Sequence, residues 1–384
     1  MQISDMNFED EKWLFNHTGI QADKANLEPY TDTGGLSSKM RRLKVSHDGH
    51  IDYYILKSVN NLQQSLNLGL AREALFYNQY KEIQMSILPK IKYSYGDIET
   101  GKKLILMDDL SATHIQSGYF FGNCSPHNWG KDLKSLIDIE EGPDRQVFTN
   151  RISSQAFKEI AKFHALYWNN KQMLNFDWLR GVEWYKNEGK QEWLKHQETG
   201  LTAWKDYSAK MYHSKVKWNP YLIECMNASF AKIDWDEYQS QIHDPNHPFT
   251  RIHGDFHPAN VMWSRNHDTV VVVDWEVVGF GSGPQDCAQF LISHMYPSER
   301  KEVEMGLLQD YYDVLVESGV DKSSYSFDQC KYDYVSGGVG RWIWLLGILC
   351  GMCPDEWIQF FHDQLYSFIK DHSVTPQNIP MPRV

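Results

Sequence analysis

The sequence predicts an α+β fold of two lobes, a small β-rich one over residues 1–110 and a larger, mainly helical one over residues 111–384. Three observations carry this expectation. Short strand-like runs dominate the first third, helical periodicity dominates everything after Leu110, and one β-rich island, Thr250 to Val278, interrupts the helices. In the first lobe, Met40 to Val45 and Ile51 to Val59 read as strands joined by the turn formers Ser46-His47-Asp48-Gly49. Ser65 to Tyr80 follows helical period, with Leu66, Leu70, Glu73 and Tyr77 on one face. Lys90 to Tyr95 and Lys103 to Met107 complete the strands. In the second lobe, helical patterns run over Gln155 to Trp168, Trp193 to Tyr212, Tyr221 to Ile233, Lys301 to Ser318, Tyr332 to Leu349 and Asp355 to Lys370.

Bulk properties narrow the classes of partner. With 384 residues, 42% hydrophobic and 23% charged, the chain has material for a large core or two smaller ones. A net charge of −12 argues against nucleic acid, whose phosphates call for a basic surface. A nucleotide is still compatible, because one basic pocket and a bound cation can hold it locally. The opening MQISDMNFEDEKW has no apolar core of a secretory signal, and the apolar run Trp342 to Cys353 is well short of the ~20 residues of a membrane span. A cytoplasmic protein with no membrane partner is the expectation. Cys350 and Cys353 form a lone C-x-x-C in an apolar helical stretch and read as buried core.

The chemistry concentrates in Arg251-Ile-His253-Gly-Asp255-Phe-His257-Pro-Ala-Asn260, then a strand, then the turn Arg265 to Asp268, then Thr269-Val-Val-Val-Val-Asp274-Trp-Glu276. A hairpin centred near His267 would place Asn260 opposite Asp274, with the loop carrying Asp255 leading into the pair. Two carboxylates and an amide oxygen form a hard-oxygen set suited to Mg²⁺. Asp255 to Asn260 also reproduces the D-x-x-x-x-N interval of a kinase catalytic loop.

H-G-D-x-x-x-x-N followed by a strand ending in Asp resembles the aminoglycoside phosphotransferase and choline kinase superfamily, nearest its choline-kinase-like and ecdysteroid-kinase-like branches. The resemblance extends from about Gly34 to Phe290. It implies a bilobal protein-kinase-like fold and an ATP- and Mg²⁺-dependent phosphotransferase acting on a small-molecule hydroxyl. Within that frame Asp255 is the catalytic residue, and Asn260 and Asp274 are the metal ligands. Lys57, at the end of its strand, holds the nucleotide phosphates and is fixed by Glu73 on the following helix. The loop carrying Gly34, Gly35 and Ser37 covers the phosphates with its amides and hydroxyl. Leu104 to Leu110 resembles the hinge between lobes, which assigns Met107, Asp108 and Leu110 to the adenine. Phe163-His164-Ala165 and Gly281 to Phe290 also match the family, with His164 and Asp286 as structural groups, and His257 is read as holding the loop.

The acceptor pocket is expected in the helical lobe, near the aromatic stretches Trp178 to Trp193 and Tyr334 to Trp344. Their rings suit either a quaternary ammonium or an ordinary core. Two other readings are carried forward. One is a kinase-like ATP-binding protein without transfer activity. The other is a metallohydrolase using His253, Asp255 and His257 as metal ligands.

Overall fold

The computed structural model describes residues 7–30, 38–80, 85–138, 143–264 and 266–384. The chain forms two compact units: Met1–Ile115 with Met262–Val278, and Gln116–Val261 with Gly279–Val384. A β-sheet region comes first and a helical region follows, the mixed architecture that the sequence pattern predicts.

The first unit is built on an antiparallel five-stranded sheet. Its strands are β1 (Lys24–Pro29), β2 (Ser38–His47), β3 (His50–Val59), β4 (Ile91–Asp97) and β5 (Lys102–Asp108), in the order β1-β2-β3-β5-β4. The β2–β3 turn is tight because Asp48 and Gly49 both adopt positive φ, 49° and 78°. Asp-Gly is the pair that tolerates this mirror-image turn and matches the strand twist. Leu43, Val45, Leu56, Leu104 and Leu106 make one face of the core, closed by Phe8 and by Leu14 of the N-terminal helix Glu11–Thr18.

The helical run anticipated from Ser65 to Tyr80 is two helices, Leu62–Leu68 and Arg72–Tyr80. Gly69 caps the first in the left-handed conformation, at φ 65°, which ends a helix even where the apolar period continues. The hairpin differs from expectation as well. Its paired strands are only Val261–Ser264 and Val270–Val272. Asn260 closes a 3₁₀ turn before the first, and Asp274 follows the second at φ 67°. Neither therefore sits in the paired ladder that symmetry about His267 implied. Residues 262–278 also belong to the first unit, not to the second lobe. Val272 N–H donates to the Ile87 carbonyl at 2.7 Å, and the Trp275 ring stacks on Phe76 at 4.4 Å.

The second unit is a helical assembly around Phe327–Met352, whose neighbours include Gly283–His294, Lys190–Ala209 and Asp355–Asp371. This 26-residue helix is long and apolar enough to cross a membrane by length and composition, a property the shorter run Trp342 to Cys353 did not suggest. More than half of its most apolar stretch is buried inside the protein, and it carries buried Asp333 and Arg341. It reads as the core helix of the unit. Its glycines make close packing possible: a Cβ on Gly338 would lie 2.7 Å from the Ala288 Cβ, and one on Gly337 would lie 2.9 Å from that of Gln285. Cys350 is buried and Cys353 half-buried, both free thiols.

Gly338→Ala should therefore overpack this crossing. A loss of about 1–3 kcal/mol is expected in urea unfolding, against no loss and a gain of up to about 1 kcal/mol for Gly306→Ala, an exposed helical position whose Cβ meets nothing within 4 Å.

Candidate functional site

In the first unit, the sheet register decides which polar groups meet. Ile105 on β5 is paired with Lys57 on β3, and Met40 on β2 is paired with Lys57 from the other side. Alternation along the strands then puts Ser38, Lys57 and Lys103 on a single face. All three are buried. The helix Arg72–Tyr80 brings Glu73 to that face in its first turn, where the helix dipole also favours a carboxylate.

The result is a buried cluster of two ammonium groups and three carboxylates. Lys57 Nζ lies 2.7 Å from a Glu73 oxygen, 2.7 Å from Asp274 Oδ1 and 3.3 Å from Glu276 Oε1. Lys103 Nζ donates to Glu73 Oε2 at 2.9 Å, to the Ser38 hydroxyl at 3.1 Å, and to Glu276. The Ser38 hydroxyl in turn donates to Glu276 at 2.7 Å. Burial alone would lower the Lys57 pKa. Asp274, Glu73 and Glu276 outweigh that and hold the ammonium well above its ordinary range. Asp274 is pushed upward, first by burial and then by Glu276 and Glu73, although Lys57 opposes the shift. The Tyr77 phenol, one turn from Glu73, is also pushed up by burial and the Glu73 charge.

Trp275 fixes the segment that carries Asp274. Its indole N–H donates to the Val272 carbonyl at 2.9 Å, and its ring is fully buried. Glu73, Asp274 and Glu276 present carboxylate oxygens within 4.8 Å of one another, and the Asp274 side chain keeps 34% of its surface exposed. Three negative charges against two positive leave this cluster one short of neutrality, the donor chemistry that accepts a further cation.

The second unit holds the loop His253 to Asn260. Gly254 adopts φ 80°, a conformation natural to glycine, which lets both neighbouring amides point at one carboxylate. Asp286 accepts from the His253 amide at 2.7 Å and from the Gly254 amide at 3.1 Å. His164 reaches the same carboxylate at 3.3 Å through Nε2 and meets the Tyr311 hydroxyl at 2.9 Å through Nδ1. The 3₁₀ turn is tied down by Ser117, which donates to the Pro258 carbonyl, and by Gln116, which donates to that of Ala259.

Asp255 stands at the end of this braced loop with 42% of its side chain exposed. Gln289 donates to its Oδ1 at 2.7 Å, and His257 Nε2 lies 3.5 Å from its Oδ2. Burial would raise its pKa, but His257, His253 and Arg341 more than reverse this and hold the carboxyl well below the usual range. Asn260 donates through its side-chain amide to the Asp255 carbonyl at 3.0 Å, which turns its own amide oxygen the other way. His257, His127 and His294 form a stack with ring centroids 5.2–5.7 Å apart. Burial and His257 lower His127 to about 4, so it is neutral at physiological pH.

The sequence-assigned residues thus fall into two groups. Lys57, Glu73 and Asp274 meet in the first unit, and Asp255 and Asn260 meet in the second. Met107 is buried on β5, and Asp108 ends that strand with its amide bonded to the Lys90 carbonyl. The Leu110 carbonyl accepts from the amides of Thr113 and His114. Gly34, Gly35 and Ser37 lie outside the described residues. His253, Asp255 and His257 do not converge as ligands: the His253 Nδ1 accepts from the Asp255 amide at 3.2 Å, and the three are absent from the described clusters able to hold a metal. Sequence reasoning missed Lys103, Glu276 and Ser38 as members of the first cluster. The signal available for Lys103 was a lysine directly before Leu104-Ile-Leu-Met107, at even spacing from Met107.

Against solved structures, the chain resembles a choline kinase from Cryptosporidium parvum Iowa II. The TM-score is 0.54 and 9% of residues are identical, over 91% of this chain and 89% of that one. A Plasmodium vivax ethanolamine kinase superposes with a TM-score of 0.51 and 12% identity, over 93% and 86%. This chain has the kinase-like fold. The family model DUF1679, an ecdysteroid-kinase-like family described as "Uncharacterized oxidoreductase dhs-27", matches residues 247–355, a stretch that includes Asp255, Asn260 and Asp274. Among curated protein sequences, none matches the chain.

Within this kinase-like chain, Lys103 has no exposed surface, and both carboxylates it binds are shared with Lys57. Lys103→Met should cost about 3–5 kcal/mol in denaturant unfolding, because it leaves buried charge uncompensated. Lys103→Met combined with Glu276→Gln should recover part of that loss.

Proposed function

We propose that the protein is a small-molecule kinase that moves the γ-phosphoryl group of ATP, with Mg²⁺, to an alcohol. The observation that carries this is Lys57, held between Glu73 and Asp274 in a chain of kinase-like fold whose braced loop presents an ionised, accessible Asp255. The choline and ethanolamine kinases of similar fold support a small-molecule acceptor.

Asp274 would hold the divalent cation in the first unit's carboxylate cluster, whose oxygen chemistry fits that role, and the sequence resemblance assigns Asn260 as a further oxygen ligand. When bound, the ion offsets charge on the phosphates. Lys57 is kept charged and held in position by its carboxylate partners, so it offers a preorganised cation to the phosphates. Asp255 orients the acceptor hydroxyl and takes its proton as the oxygen–phosphorus bond forms and the bond to the departing ADP oxygen breaks. Its Oδ1 is anchored by Gln289, which leaves Oδ2 to face the acceptor beside His257. The Met107 to Leu110 segment is assigned to the adenine.

Asp255→Asn should keep nucleotide binding and lose transfer by about 10²- to 10⁴-fold, measured as Mg²⁺-dependent ATP consumption across a panel of small alcohols. Asp274→Ala should abolish metal-dependent turnover in the same assay. Normal turnover in either variant refutes the assignment.

A pH profile offers a separate check. Because Asp255 is held well below the ordinary carboxylate range, it stays ionised throughout about pH 5 to 8. Asp274 is shifted in the opposite direction, so protons compete with the cation at higher pH than for an ordinary Asp. Any acid limb in kcat/KM should then move when the Mg²⁺ concentration is raised. A limb indifferent to Mg²⁺ would count against this arrangement.

A further inference from the structure

Arg341 lies on the core helix Phe327–Met352 with 5% of its surface exposed. Among the described residues, one of its three nitrogens has a protein acceptor: Nη2 donates to the Gly254 carbonyl at 3.3 Å. Nε and Nη1 are buried with no hydrogen-bond partner among the described residues. A buried guanidinium with unanswered N–H groups is costly, and such donors are ordinarily satisfied by an acid or by a bound molecule. The neighbouring carboxylates are already engaged. Asp286 is spent on two backbone amides and His164, and Asp255 is bound by Gln289 and faces His257. Both act on the Arg341 charge without forming a hydrogen bond to it.

The surroundings of Asp255 also offer polar ring nitrogens and a nearby ammonium group. His257, His127 and His294 stack beside it, and Lys131 acts electrostatically on the latter two. Two buried ring nitrogens, His257 Nδ1 and His294 Nε2, have no hydrogen-bond partner among the described residues. Meanwhile, the aromatic faces that could receive a cationic acceptor hold the protein's own arginines. Arg341 sits 5.1 Å over the Trp344 ring, and Arg251 lies 4.3 Å over Tyr167 and 5.7 Å over Trp178. Trp184 and Trp193 are buried against Trp235 in the core.

We propose that the acceptor alcohol carries an acidic group, a carboxylate or a phosphoryl group, which the free N–H groups of Arg341 bind beside Asp255. This rests on the phosphotransfer reading for the role of the hydroxyl but not for the binding itself. An arginine fork suits both oxyanions, and its charge-assisted bonds are roughly twice as strong as neutral ones. The acid docks on Arg341 and delivers the hydroxyl to Asp255, whose negative charge the same arginine partly offsets.

The test is binding calorimetry on the full-length protein saturated with Mg-ADP. The ligands are small hydroxy acids and phosphorylated alcohols, each paired with its uncharged parent alcohol, together with choline and ethanolamine. At least one acid should bind about tenfold or more tightly than its parent. Arg341→Gln should reduce that acid to the affinity of the parent, and Arg341→Lys should restore part of the difference. Hydroxy acids ahead of phosphorylated alcohols would identify the carboxylate as the group bound, and the reverse order the phosphoryl group. Acids binding no better than their parents, choline or ethanolamine binding best, or an acid preference unchanged in folded Arg341→Gln would each overturn the proposal. If Arg341→Gln has no cooperative melting transition, the wild-type ranking alone decides. Acid binding without ATP consumption would sink the phosphotransfer reading and leave this one standing. Turnover of a cationic or neutral alcohol without acid binding would do the opposite.

Discussion

Two lysines enclosed by three carboxylates in the interior of the first unit are the interaction on which the candidate site depends. None of the five charges could be buried alone, since an isolated ion pays several kcal/mol of desolvation. Each is tolerable because the others are present. Glu73 is shared between Lys57 and Lys103, and Glu276 between Lys103, Lys57 and Ser38. The sharing binds strands β2, β3 and β5, the helix Arg72–Tyr80 and the segment 274–276 into one electrostatic unit. Its direct consequence is that Lys57 stays charged and is held by three carboxylates, which is what its proposed role toward phosphate charge requires.

The second unit solves a different problem by similar means. A loop that must present one accessible carboxylate is held from behind by backbone contacts. Asp286 collects two amides, Gly254 supplies the positive φ that lets them converge, and Ser117 and Gln116 hold the turn that follows. Asp255 is thereby left free to interact through one oxygen. Arg341 supports the same loop at the Gly254 carbonyl while keeping donor capacity in reserve.

Much of this was legible in the residues. Lys57 and Glu73 could be paired from periodicity, because a period of two places Lys57 on a defined strand face and helical spacing puts Glu73 on the apolar face that must meet it. The interval from Asp255 to Asn260 was visible as spacing alone. Lys103 was not, because a lysine at a strand start ordinarily reaches solvent, and its burial follows only from β5 lying beside β3 in a given register. Arg341 was hidden for the same reason, as one charge in an apolar, aromatic helix. The break at Gly69 escaped notice because the apolar period runs through it, and the exact pairing of Asn260 with Asp274 failed because the hairpin ladder is shorter than its valine run.

The sequence by itself determined the fold class, the order of elements and the loop that carries Asp255, since these rest on local periodicity and on residue spacing along one chain. Tertiary structure alone decided which charges are buried together, that residues 262–278 fold with the first unit, and that the aromatic stretches hold the protein's own guanidinium groups. Those outcomes depend on register and on helix packing between segments far apart in the chain, where the energy of a charge is set by neighbours that no local pattern names.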